Sequence, residues 1–202
     1  RLRASVKPER KQRARAFWKQ FLAHAPLTVE LPRASHPELE SRAAESIFFD
    51  FDEELARATR SFASAHDSTL FIVLSAMFCF LLASYAEQEV VVASYPLDMR
   101  PHGFDHLVGC FVNLALMKAT VRPHTTLGTL VGELTQQRRQ VRPHWHFSLR
   151  DLVHVGGEID ADIEKSYFSV FFGETYLNTR PLQLDPLDVR YVNLPWSDEF
   201  DR

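Results

Sequence analysis

At 202 residues, with 46% apolar and 12% aromatic side chains, the chain is long enough for one large domain or two small ones and has the composition of a globular protein with a substantial core. Its net charge of -3 and pI near 6.3 exclude a global attraction to nucleic acid or anionic membrane, which needs a concentrated positive field. With only Cys79 and Cys110, each flanked by apolar residues, a disulfide framework is excluded as well; the pattern is that of two buried thiols in a reducing compartment, which places the chain in the cytoplasm.

The first predicted element is a helix over residues 9–24, with Ala16, Phe17, Phe21 and Leu22 on one side and Arg10, Arg13, Lys19 and Gln20 elsewhere. The basic head leads into Phe17-Trp18-Lys19 rather than an apolar run, so no secretory signal is expected. Pro26 and Pro32 end this helix, and a Pro-rich connector continues through Pro37. Ile47-Phe48-Phe49-Asp50-Phe51 predicts a strand by its aromatic and β-branched content, and a helix follows from about Asp52 to His66. Thr69 to Tyr85 is the most apolar stretch, yet it is shorter than the roughly 20 residues that span a bilayer, so a buried core helix is expected there.

Val90-Val91-Val92-Ala93 is a continuous apolar run of the kind found in strands covered on both faces. Pro96 to His106 predicts a loop, Phe111 to Val121 a strand, Thr126 to Val141 an amphipathic helix, and Phe168 to Phe172 a further buried strand. Strands alternating with helices imply an α/β sandwich. Residues 1–37 thus form an opening helix and connector, 38–180 an α/β core, and 181–202 a Pro-containing acidic tail with the weakest periodicity. Neither a Gly-rich phosphate loop nor a Gly-x-Ser-x-Gly elbow occurs in the sequence.

Val108-Gly109-Cys110-Phe111-Val112-Asn113, following Pro96-Leu97-Asp98-Met99-Arg100, resembles a signature of nonribosomal peptide synthetase condensation domains. The likeness keeps its order along most of the chain. Phe17-Trp18-Lys19 with Glu30-Leu31-Pro32 is similar to the family's opening of its C-terminal lobe, Thr69 to Leu82 to its long core helix, and Tyr167 to Phe172 to the strand near its floor region. Lys118 stands where the family usually has Arg, and Leu114 where it usually has Thr. Pro143 to Leu149 with Leu152-Val153 occupies the place of the family's His-Gln-Asp-x-Pro-Phe-Glu-x-Leu-Val motif, keeping His144 and the Leu-Val. The family's catalytic motif, two histidines followed three residues later by Asp-Gly, does not occur in this sequence.

The resemblance therefore implies the C-terminal lobe of a chloramphenicol-acetyltransferase-like fold, an α/β mixed sheet with packed helices, whose catalytic histidine belongs to an N-terminal lobe outside this sequence. It implies amide bond formation between substrates on phosphopantetheine arms of donor and acceptor carrier protein domains, with no cofactor bound directly. No catalytic residue is expected in this chain. Arg100 is expected to support the catalytic loop of the other lobe, since a planar guanidinium fixes a carboxylate's geometry. Asn113 and His144 are expected to line the substrate tunnel; the alternative for Asn113 is a strand-end amide serving the backbone. His144 and His146 are spaced to share a strand face, but nothing completes a metal site, and none is expected. Two alternatives stand beside this function: a non-catalytic condensation-like module that recruits a carrier protein or tailoring enzyme, and a coenzyme A-dependent acyltransferase of the same fold, which the Val108–Asn113 signature disfavours.

Overall fold

The computed structural model describes residues 7–26, 28–32, 46–147, 151 and 170–174. Among the described residues are four helices, α1 (Pro8–Phe21), α2 (Glu53–Ala65), α3 (Leu70–Ala86) and α4 (Leu127–Val141), and a two-stranded antiparallel sheet of β1 (Val90–Asp98) and β2 (Val112–Thr120); α3 and α4 pack on the sheet, α2 packs on α3, and a 3-10 turn, Arg142–His144, follows α4.

Local chemistry starts the helices. Asp52, Thr69 and Thr126 cap α2, α3 and α4 by accepting from the backbone N–H three residues on, and Pro8 occupies the first turn of α1, where its missing N–H has no partner to lose. Glu87 ends α3 in the left-handed conformation, φ 53°. The two strands pair from Val90↔Thr120 to Asp98↔Val112 without a break. Val91 through Tyr95 are all buried, so both faces of β1 are covered, as its apolar run predicts. On the edge of β1 away from β2, one parallel bridge among the described residues joins Ser94 to Phe171, with Ser94 N–H donating to Val170 O and Phe172 N–H to Ser94 O, both at 2.9 Å. β1 is thus interior to the sheet. The outer edge of β2 is closed by α4: Lys118 N–H donates to Gln137 Oε1 at 2.9 Å, and Gln137 Nε2 donates to Lys118 O at 2.8 Å.

Several expectations need correction. Residues 46–51 form no strand among the described residues; their side chains are largely in solvent, Ile47 at 87% exposure. β-propensity expresses itself only on a paired, half-buried surface, and no strand among the described residues lies against this segment. The buried line of α1 is Ala14, Trp18 and Leu22, one side of a 3.6-residue period, whereas Ala16 faces solvent. β1 runs to Asp98, so the loop begins after it. Cys79 is buried, with Sγ 3.8 Å from the Met117 sulfur, but Cys110 is exposed. The predicted strand at 168–172 is described only from Val170, and the tail at 181–202 lies outside the described residues.

The core helix α3 is apolar all round. One side is buried through Ile72, Ala76, Cys79 and Ala83, while Met77, Phe80, Leu81 and Tyr85 are exposed on the other. No single described helix is long and apolar enough to cross a membrane.

Gln137→Ala would leave the N–H and C=O of half-buried Lys118 without their partner, and the chain should lose about 1–3 kcal/mol of stability. Urea unfolding of this variant beside Gln136→Ala, which removes an exposed side chain and should change little, measures the edge closure.

Candidate functional site

One end of the β1–β2 ladder opens into the exposed loop 101–110, and the sequence-predicted residues gather around it. The ladder is prolonged beyond Asp98 by Met99 N–H donating to Phe111 O at 2.7 Å. Arg100 comes next. Its backbone N–H donates to Asp98 Oδ1 at 2.8 Å, the short-range turn that an Asp two residues earlier favours. Its Nη1 donates to Leu107 O at 2.7 Å and Phe104 O at 3.2 Å, and its guanidinium lies 4.1 Å from the Phe111 ring centroid. Arg100 therefore folds back and gathers its own loop, joining the turn bonds Phe104 N–H to Pro101 O and Leu107 N–H to Phe104 O, both 3.1 Å. Gly103 supplies the left-handed turn within it, φ 84°.

Asn113 stands two residues past Phe111 and acts on the other side of the strand end. Its Nδ2 donates to Trp145 O and Phe147 O, both at 2.8 Å. One amide group, using both N–H bonds, thus ties β2 to the turn after α4. This is the backbone-serving geometry that an amide at a strand end offers.

His144 lies in that same turn. Its ring stacks on Phe17 of α1 with centroids 4.2 Å apart, and Phe17 in turn packs edge-on to the buried Trp18 at 5.4 Å. Burial, followed by the charges of His146 and Arg10, lowers the His144 pKa from its ordinary value. His146 is lowered likewise, by burial first and then by Arg10, although backbone groups of Arg10 and Pro143 lie near enough to oppose the shift slightly. Neither His146 ring nitrogen reaches hydrogen-bond geometry with a described residue. Among the described residues no cluster of three or more His, Cys, Asp or Glu side chains has the spacing of a metal site.

The structure thus links Arg100 to Asn113 through Phe111, and Asn113 to His144 through the turn carbonyls. Sequence reasoning missed the carbonyl partners, since any residue supplies one, and it missed Lys118 as an anchor. Lys118 Nζ donates to Phe21 O at 2.6 Å and lies 5.4 Å from the Phe21 ring, holding α1 against β2. The signal was available in part: a Lys inside an otherwise apolar strand must send its charge to a partner.

This arrangement of helices about a mixed sheet is the fold of nonribosomal peptide synthetase condensation domains. The first condensation domain of the CDA synthetase superposes with a TM-score of 0.69 at 19% identity, over 91% of this chain and 39% of that one. The X-domain from teicoplanin biosynthesis superposes with a TM-score of 0.64 at 17% identity, over 72% of this chain and 33% of that one. The condensation domain family's sequence model matches residues 2–177, and the chain belongs to that family. Similar sequences include malpibaldin synthetase of Mortierella alpina, 23% identical over 90% of this chain, and tyrocidine synthase 3 of Brevibacillus parabrevis, 28% identical over 68% of it. The chain spans only 3% and 2% of the lengths of those two proteins.

Two outcomes follow from this geometry. Asn113→Ala should loosen the turn by about 1–3 kcal/mol and raise amide exchange over residues 142–147, while Asn113→Asp should be worse, because a carboxylate would face two carbonyls with no proton to donate. The two histidines set a pH dependence. Each pKa is below the ordinary 6.5 in the folded chain, so the unfolded chain binds more protons as pH drops through that value. Stability should be full above about pH 6.5 and fall below it, and between about pH 7.5 and 5.5 the melting temperature should drop less in a His144→Gln/His146→Gln variant than in the parent chain.

Proposed function

We propose that the chain is the C-terminal lobe of a nonribosomal peptide synthetase condensation domain, and that the complete domain forms an amide bond between substrates tethered to donor and acceptor carrier proteins. The observation that carries this is the match to the condensation family over residues 2–177, with Arg100 and Asn113 in signature order at one strand end. The chain's coverage of 39% of the CDA synthetase condensation domain supports a single lobe. The other lobe would supply the family's histidine motif, and the exposed apolar side chains of α3 and of residues 47–51 are the kind of surface a lobe boundary covers.

The reaction needs little chemistry from this chain. An amine on one phosphopantetheine arm attacks the thioester carbonyl on another; the C–N bond forms, the C–S bond breaks, and the thiol leaves with a proton. Holding two tethered reactants at opposite ends of one tunnel makes the step nearly intramolecular, which lowers the barrier by about 7–11 kcal/mol in the best cases. Arg100 would shape the loop that meets the other lobe and hold a carboxylate of its catalytic segment. Asn113 and His144 would shape the tunnel wall, the former by fixing the turn that carries the latter. The work would take place in the cytoplasm, with the carrier domains as partners.

A non-catalytic condensation-like module is the second reading, favoured by the segment after His144. There Trp145 and His146 stand in place of the family's Gln-Asp, and Ser148, Leu149 and Arg150 in place of its Pro-Phe-Glu, while His144 is stacked on Phe17.

In the intact parent domain, Arg100→Ala should lower condensation or soluble yield strongly, since an uncompensated buried carboxylate costs about 3–5 kcal/mol. Arg122→Ala, which loses an exposed 3.8 Å pair with Glu89, should cost roughly 0–1 kcal/mol. Turnover is measured with two loaded carrier proteins. Near-native rates in Arg100→Ala would remove Arg100 from the proposal, and turnover by this 202-residue chain, free of any other lobe, would overturn the lobe assignment.

A further inference from the structure

We propose that the cleft between the start of α3 and the end of α4 binds the phosphoryl group of a small phosphate ester. The cleft has a volume of about 360 Å³, within the range of small-molecule sites, and Arg100 and Asn113 are not among its walls. Arg138, Arg139 and Arg142 line it against one acid, Asp67. Neither ion pair found among the described residues involves any of these arginines. Arg138 is half-buried and held 4.9 Å from the Phe71 ring, whereas Arg139 and Arg142 are exposed.

Both walls add hydroxyl donors, Thr135 from α4 and Ser68 and Thr69 from the start of α3. Ser68 Oγ and Thr135 Oγ1 lie 2.8 Å apart, and whichever donates to the other, one O–H of the pair is uncommitted. Thr69 Oγ1 spends its lone pair accepting from Ile72 N at 3.3 Å as the α3 cap, which leaves its own O–H to donate. Guanidinium and hydroxyl protons converging on one cleft are complementary to an oxyanion with several acceptor atoms, and guanidinium matches phosphate in both charge and geometry. Stabilising the C-terminal dipole of α4 accounts for cations in its last turn and at its C-cap, Arg142; it does not account for the hydroxyls of Ser68 and Thr69 facing them. Ile72 and the Trp145 ring supply an apolar wall. The cleft is larger than inorganic phosphate requires, which points to an ester with an apolar or aromatic body.

Phenyl phosphate is the probe, titrated calorimetrically into the 202-residue chain at constant ionic strength, with phenol, inorganic phosphate and chloride for comparison. Phenyl phosphate should bind, inorganic phosphate more weakly, and phenol and chloride not measurably. Arg139→Gln/Arg142→Gln should weaken phenyl phosphate binding about ten-fold or more, the scale of lost charged hydrogen bonds, with Arg60→Gln on α2 unchanged. If the double variant does not fold, Arg142→Gln alone serves, because that side chain is exposed. No binding, equal binding of chloride, or equal affinity in the arginine variants overturns the proposal.

Discussion

The ladder between β1 and β2 is the constraint on which the rest of this structure depends. Its register, Val90↔Thr120 through Asp98↔Val112, fixes which residues face α3 and α4 and which stand at the open end. A slip of one residue would turn every side chain to the other face. Here that would matter on both sides, because Val91 through Tyr95 are buried without alternation. The outer edge of β2 depends on Gln137, whose amide reproduces the donor and acceptor of a neighbouring strand, and α1 is held to the same strand by Lys118. Two polar side chains thus do for β2 what further strands do in a wider sheet.

At the open end the same logic continues with irregular backbone. A loop or turn has no ladder to order its carbonyls, and side-chain donors can bring them together. Arg100 and Asn113 are both rich in N–H groups, and each serves two carbonyls, Arg100 those of Phe104 and Leu107, Asn113 those of Trp145 and Phe147. Their places in a family signature therefore have a structural account that holds in this chain alone. Leu could fill neither position, since it has no N–H to offer. Lys at position 100 would keep the charge and lose the planar stacking on Phe111.

What was legible in the sequence divides along physical lines. Helices α2 and α4 are legible because apolar periodicity is local, and α3 because its apolar run is long and continuous; Asp52, Thr69 and Thr126 mark their starts. The strand pair was plain because its apolar runs are continuous. The face of α1 was misjudged at Ala16, since a helix with aromatic residues at 17, 18 and 21 presents more than one plausible apolar side, and only packing selects Trp18. Residues 47–51 read as a strand because propensity registers side-chain type and not the availability of a partner. Motif order in the sequence singles out Arg100, Asn113 and His144 as candidates; their partners in the structure are main-chain carbonyls or a distant Phe17, which no local pattern specifies.

The titratable groups make the division of labour explicit. Burial pushes Cys79 and Tyr95 up to about 12, so both remain protonated near neutrality, Tyr95 despite the opposing charge of Arg138. His144 and His146 are shifted down, hence neutral in the same range, the former stacked against Phe17 and the latter enclosed between α1 and the turn. Each shift has burial as its largest cause, and none arises from a carboxylate partner of the kind that tunes a general base. A thiol and a phenol held protonated and two imidazoles held neutral bring no unpaired ion into the packed interior, which spares the fold the cost of burying one.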